Sequence, residues 1–428
     1  MGLSEETRSS MRAVRAITAV ALMVPILGVV GASPAHAVVP PCGTTIVQDT
    51  TLTADMTCPG DGLYIGASNV TLNLNGHTIT GPGPNVRPSP NQIYSGVNIL
   101  FGRTGVTVTN GTIRAFTIAA TTQVNANGNR LSFLRLVNNG QGVLTQFLQS
   151  TGAASNNNVI HDNTIEASTG ANGPAVWLQG DGHTFQTNVV RNNQNSGLTL
   201  TGDRNTVANN DITANTFLGI ELRGGSVSTS DGNSIVNNRI SVNAATGIAV
   251  NGDDNRISGN GVANNRGNGI NVGSPSAPRR WVNNRIESNS LSGNGRTDQQ
   301  FPTIGLFAAQ STSVVSNRIV GIGRGAGIFA SDNSGASLIA TNQLTGNTDG
   351  IHVAPGATTT TLQGNQAVQN SDDGIDVDSP STTLAGNVGA QNVDLGIEAV
   401  AGVVDAGGNR AFGNGNPAQC SPTLTCSP

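Results

Sequence analysis

The chain has 428 residues, a formal net charge of −4, 56 glycines and only 3% aromatic residues. Its arginines are scattered, which excludes the concentrated basic face that nucleic acid requires, while regularly recurring Ile, Val and Leu exclude a disordered chain. Lysine is absent, so a lysine base or Schiff base is excluded and only Arg, His and carboxylates remain for chemistry.

Arg8, Arg12 and Arg15 precede an apolar run over 16–30, and the sequence SPAHA ends at Ala37. A basic stretch, a short apolar core and a small-x-small exit mark a secretory signal over 1–37, cleaved after Ala37. The run is shorter than the ~20 residues needed to span a bilayer. The mature chain is therefore expected to be secreted, with no membrane span. Its four cysteines lie at its ends, Cys42 with Cys58 and Cys420 with Cys426. An even count in an exported chain predicts disulfides, here stapling an N-terminal cap (38–68) and a C-terminal tail (413–428).

NVTLNLNGHTITG from Asn69 and GVTVTNGTIRAF from Gly105 alternate apolar and polar residues, the period of a strand. Prolines at 82, 84, 88 and 90 mark 81–91 as a loop leaving these strands. A repeat then takes over. NTVANNDITANTFLGIEL from Asn205, NSIVNNRISVNAATGIAV from Asn233 and NRISGNGVANNRGNGINV from Asn255 align without a gap. They share N-x-Φ-x-x-N-x-Φ-x-x-N-x-x-x-G-Φ-x-Φ, with Φ aliphatic, and most successive repeat glycines lie 22 to 24 residues apart. Each repeat holds three short period-two segments, too rich in Gly and Asn for helix. Stacked turn on turn, they predict an all-β fold, a three-sided parallel β-helix over 69–412 in a single domain. The asparagines between the second and third segments (Asn188, Asn210, Asn238, Asn260, Asn289, Asn365 and Asn387) are expected to adopt the left-handed backbone of a corner and to hydrogen-bond along the stack.

These strand pairs, followed by the N-x-I-x-x-N frame, resemble the right-handed parallel β-helix repeat proteins, a group related to pectate lyases, polygalacturonases and NosD-type proteins. The resemblance implies a right-handed coil, in line with crossover chirality.

In the G-Φ-x-Φ segment, x points outward. Down successive turns it reads Leu144, Trp177, Thr199, Glu221, Ala249, Asn271, Phe307, Phe329, His352, Asp376 and Glu398, expected about 4.8 Å apart. Phe307 and Phe329 either stack against sugar rings or are covered by the insertion ahead of Gly305. Beside them, His352, Asp376 and Glu398 are flanked by Asp349, Asp372, Asp373, Asp378 and Asp394. Crowded carboxylates raise one another's pKa, which suits acid–base work on a glycosidic bond, at a separation of about 6.5–9.5 Å for inversion. The same group can hold calcium through oxygen ligands, with Asp376, Asp378 and Glu398 as candidates, or form a solvated acidic edge. NTDG from Asn347 and DDG from Asp372 resemble the acidic motifs of polygalacturonases, which implies Asp372 or Asp373 as proton donor and Asp349 as base partner. That family's Gly-His-Gly is replaced here by DLGIEA from Asp394, and its Arg-x-Lys has no counterpart. The expected function is a monomeric protein that binds or processes an extracellular polysaccharide on this face, through Phe307, Phe329, His352, Asp376 and Glu398. The alternative is a non-catalytic surface or matrix rod.

Overall fold

In the computed structural model, described over residues 36–89, 92–170, 173–224, 229–274, 279–296 and 300–428, every assigned element is a strand. The signal expected over 1–37 lies outside these residues except for His36 and Ala37, which open the first strand, His36–Val38. Short strands follow from the repeat itself. Two or three alternating residues fit between corner residues, and each strand then pairs with its equivalent one turn later.

One face is a 15-stranded sheet running from Thr45–Ile46 to Ile397–Ala399. The other two faces form two columns of a 29-stranded sheet, joined where Thr107–Arg114 and Arg130–Val137 run through the corner unbroken. Pairing is parallel throughout, except for a small antiparallel ribbon of Phe147–Leu148 with Ala153–Ala154. The chain is a parallel β-helix. Its coils begin earlier than the frame of the later repeats indicated, because 38–68 contributes strands to all three columns.

The core is one aliphatic column per strand. In a single turn Ile235, Ile240, Ile248 and Val250 are all fully buried, each contributing roughly 1.5–3 kcal/mol against exposure. Disulfides join Cys42 to Cys58 and Cys420 to Cys426. The C-terminal segment folds across the last turn through bridges from Ile397 to Cys420 and from Arg410 to Ser427. Among the described residues, no helix is long and apolar enough to cross a membrane.

The corner asparagines are buried and hydrogen-bond along the stack, as expected, but their backbone role differs from the expectation. None of the seven has positive φ. The residue before each one does: Thr187, Asn209, Asn237, Gly259, Ser288, Gly364 and Gly386. The left-handed residue turns the chain, and the asparagine after it points inward. From Asn163 to Asn409 an unbroken file results, in which each backbone N–H donates to the next Oδ1.

A second file runs Asn129, Asn158, His183, Asn205, Asn233, Asn255 and Asn284. In this file His183 stands in for asparagine. Its Nδ1 accepts from the Asn158 N–H at 3.2 Å, and burial pushes its pKa down to about 4. A depressed imidazole pKa means the unfolded chain binds more protons between about pH 6.5 and 4, so stability falls as pH drops through that window. His183→Asn restores the asparagine file and is expected to abolish this loss, about 2 kcal/mol between pH 7 and pH 5, as read from urea unfolding at the two pH values.

Candidate functional site

The strand registers of the first face align one outward column: Tyr64, Asn98, Thr121, Leu144, Trp177, Thr199, Glu221, Ala249, Asn271, Gly305, Phe329, His352, Asp376 and Glu398. The expected column holds except at one position. Gly305, not Phe307, lies opposite Phe329, because Thr303 occupies the place of the repeat glycine. Phe307 reaches the column from two residues further on. A Cβ on Gly305 would stand 2.4 Å from Phe307 Cε2, so the missing side chain makes room for the ring.

Phe307 and Phe329 have ring centroids 6.1 Å apart, and Phe329 meets His352 edge-on at 5.3 Å. Gln300, Phe301 and Pro302, just ahead of this turn, wall the face but leave both rings half-buried. Between wall and strands lies a cleft of about 480 Å³, lined by Phe301, Phe307, Phe329, Asn271, Asp349 and His352 among others. Phe301 was not singled out from the sequence. The signal for it was the long excursion before Gly305, which carries this aromatic residue just ahead of the strand.

The acidic residues arise from two places. Asp376 and Glu398 continue the outward column. Asp349, Asp372 and Asp373 lie at the corner entering the face, just after the inward asparagines Asn347 and Asn370, which bond to one another. The stack thus places Asp349 under Asp373, whose N–H donates to Asp349 Oδ1 at 3.3 Å. Oxygens of Asp349, Asp372 and Asp373 come within 4.8 Å of one another, as do ligand atoms of Asp349, His352 and Asp376. Glu398 and Asp378 stand outside both groups, so the described residues gather a different trio from the calcium set expected over Asp376, Asp378 and Glu398. His352 Nε2 lies 3.3 Å from Asp378 Oδ2 and 3.6 Å from Asp376 Oδ2.

Electrostatics separates the carboxyls. Burial pushes Asp373 up to about 8, opposed by the Leu395 N–H on its Oδ1 at 2.7 Å and reinforced by Glu398 and Asp372. Burial likewise raises Asp376 to about 6, against the pull of His352 and with the push of Asp378, Asp349 and Glu398. Asp349 is raised as well, chiefly by burial. At neutral pH Asp373 therefore holds a proton while Asp376 is mostly ionised. Groups of unlike protonation, placed this close beside a cleft, can give and take protons.

Solved structures show the same fold. The A-module of the Azotobacter vinelandii mannuronan C-5 epimerase AlgE6 superposes with a TM-score of 0.58 at 15% identity, covering 82% of this chain and 91% of that one. The complex of alginate lyase AlyF-OU02 with G6 gives 0.52 at 12% identity, over 83% and 88%. The receptor-binding domain of the siphovirus 9NA tailspike gives 0.52 at 10% identity, over 74% and 72%. No curated protein matches the sequence. A family model described as the right handed beta helix region matches residues 174–295 and 227–388, together just over half of the chain. The chain belongs to the right-handed β-helix family.

Proposed function

We propose that this protein is exported, acts as a single chain, and seats an extracellular polysaccharide along its first strand face, where the acidic cleft cleaves it by acid–base chemistry. The observation that carries this reading is the joining of an aromatic floor, Phe307 and Phe329, to Asp349 and His352 in one cleft. Aromatic faces suit the apolar faces of sugar rings, and amide and carboxyl groups suit their hydroxyls. The fold relatives named as an alginate lyase and a mannuronan epimerase support a glycan as ligand. In this reading Asp349 takes a proton, Asp373 with its neighbour Asp372 supplies one, and His352 and Asp376 hold the sugar and balance charge. Calcium bound at Asp349, His352 and Asp376 would add a second means of holding an acidic sugar.

The test is incubation with alginate, polygalacturonate, a neutral glucan and a galactan, with and without calcium, beside an Asp349→Ala/Asp373→Ala double variant. New chain ends are expected with the native protein, and a loss of at least ~100-fold in the variant. Reducing ends without unsaturation identify hydrolysis; unsaturated ends identify elimination. Binding without turnover, unchanged in the variant, would overturn the catalytic reading and leave a binding rod.

A further inference from the structure

The same face carries a second built cleft far from the acidic one. The proline-rich loop at 81–89 folds back over it, held by Thr117 Oγ1 donating to the Val86 carbonyl at 2.8 Å and Thr169 Oγ1 to Asn85 Oδ1 at 3.3 Å. Between loop and strands lies a space of about 440 Å³, lined by Arg87, Ile93, Leu144, Trp177, Gln141 and Gln179 among others. A neighbouring hollow of about 390 Å³ shares Ile93 and adds Tyr64 and Asn98. The design matches the acidic cleft, where residues 300–302 also border the face beside an aromatic floor.

Three features suit this place to a sugar. The Trp177 indole is fixed, with Nε1 donating to Thr201 Oγ1 at 3.2 Å and Arg223 5.7 Å from its ring centre. Gln141 is only 1% exposed, yet its Nε2 has no hydrogen-bond partner among the described residues. A buried donor left unmade is costly, and a ligand hydroxyl would satisfy it. The adjoining Asn98 Oδ1 is likewise buried and unpartnered. Chemistry is unsupported here: the one carboxylate lining either hollow, Asp61, is engaged by Tyr64 Oη at 2.6 Å and the Ser95 N–H at 2.7 Å.

From Trp177 to Gly305, under the Phe307 ring, the column takes five steps, about 24 Å. We infer that the Trp177–Gln141 cleft is a remote, non-catalytic subsite that binds hydroxyl-bearing pyranose units of the same glycan whose other part occupies the acidic cleft. This rests on the polysaccharide reading above. A sugar in an extended glycan advances by about one strand spacing, ~5 Å. Only chains of more than about five units then bridge the two clefts, and bridging multiplies affinity without new contacts at either end.

The experiment compares native protein, Trp177→Ala, Trp177→Phe and Phe329→Ala for binding to whichever of alginate, polygalacturonate, glucan or galactan the native protein retains. Each is offered as oligomers of about three units and as chains of about ten or more. Trp177→Ala is expected to weaken the binding of long chains roughly tenfold and that of trimers far less, because trimers cannot bridge the two clefts. Trp177→Phe should recover most of the loss, and circular dichroism with unchanged unfolding shows that the coil persists. Phe329→Ala should weaken both lengths. Equal effects of Trp177→Ala on trimers and long chains, or none on either, overturn the subsite while leaving the polysaccharide reading intact. Failure of the native protein to bind any of the four glycans overturns both.

Discussion

Asn238→Ala is expected to destabilise the protein by about 3–5 kcal/mol. The Asn210 backbone N–H and side-chain amide both donate to Asn238 Oδ1 at 2.9 Å, and the Asn238 amide in turn reaches the Val207 carbonyl at 2.9 Å and Asn260 Oδ1 at 3.0 Å. All of these groups are shut away from water, since Asn210, Asn238 and Asn260 are each at most 2% exposed. Alanine would strand the Asn210 N–H and take a donor from the Val207 carbonyl, and each buried group left without its partner costs about 1–3 kcal/mol. The exposed residue that turns the same corner one rung earlier, Asn209, has a φ of 58°. Asn209→Gly keeps the turn and should stay within about 0.5 kcal/mol of the native protein. Urea unfolding of both variants, with hydrogen exchange at the Asn210 amide, checks the contrast. Because coils touch only their neighbours, the faster exchange should be confined to the turns flanking residue 238. A loss under 1 kcal/mol for Asn238→Ala would sink the account of the inward file.

The contrast also shows what the sequence could and could not disclose. The spacing of aliphatics reveals the coil because burial has a period of two in each strand and a period of one turn along the chain. The asparagines are legible as a stack for the same reason. Which residue of the corner adopts positive φ is not legible, because Asn tolerates that conformation and the frame offers an Asn at both places in turns such as Asn209-Asn210. Only the inward direction of the second one, toward the Phe185 carbonyl of the previous turn, assigns the roles.

The site shows the same division. Vertical files follow from the fold, so Phe329, His352, Asp376 and Glu398 could be placed on one flank without coordinates. Register across an insertion could not. Thr303-Ile304-Gly305-Leu306 and Gly305-Leu306-Phe307-Ala308 both fit the G-Φ-x-Φ frame loosely, and the difference of two residues preserves inward and outward alternation. Packing chooses the first, since it leaves Ile304 and Leu306 fully buried and lets Phe307 cover the glycine. The borders of both clefts were legible only as departures from the repeat; which residues they present to the face depends on long-range contacts that no spacing encodes.

Asp373→Asn is expected to stabilise the protein while disabling the site, a combination that distinguishes a stored proton from an ordinary corner residue. Asparagine keeps an oxygen to accept the Leu395 N–H and cannot ionise beside Asp372 and Glu398. A carboxyl raised from 3.8 to about 8 binds its proton more tightly folded than unfolded. Its contribution to stability is therefore full below about pH 4 and is lost as pH rises toward 8. The shift alone bounds the loss at about 5–6 kcal/mol, and water reaching the exposed Asp372 and Glu398 screens it to about 3 kcal/mol. Native and variant proteins should thus unfold alike at pH 4 and differ by about 3 kcal/mol near pH 8, the variant being the more stable. Turnover of a cleaved glycan should meanwhile fall at least ~100-fold, since an amide has no proton to lend. The native rate should fall as Asp373 loses its proton near 8. A variant stabilised as described but with full turnover would move the donor role to Asp372, whose exposed carboxyl lies in the same trio. A variant with no gain in alkaline stability would remove the stored proton, and with it the physical reason for an acid beside a base on this face.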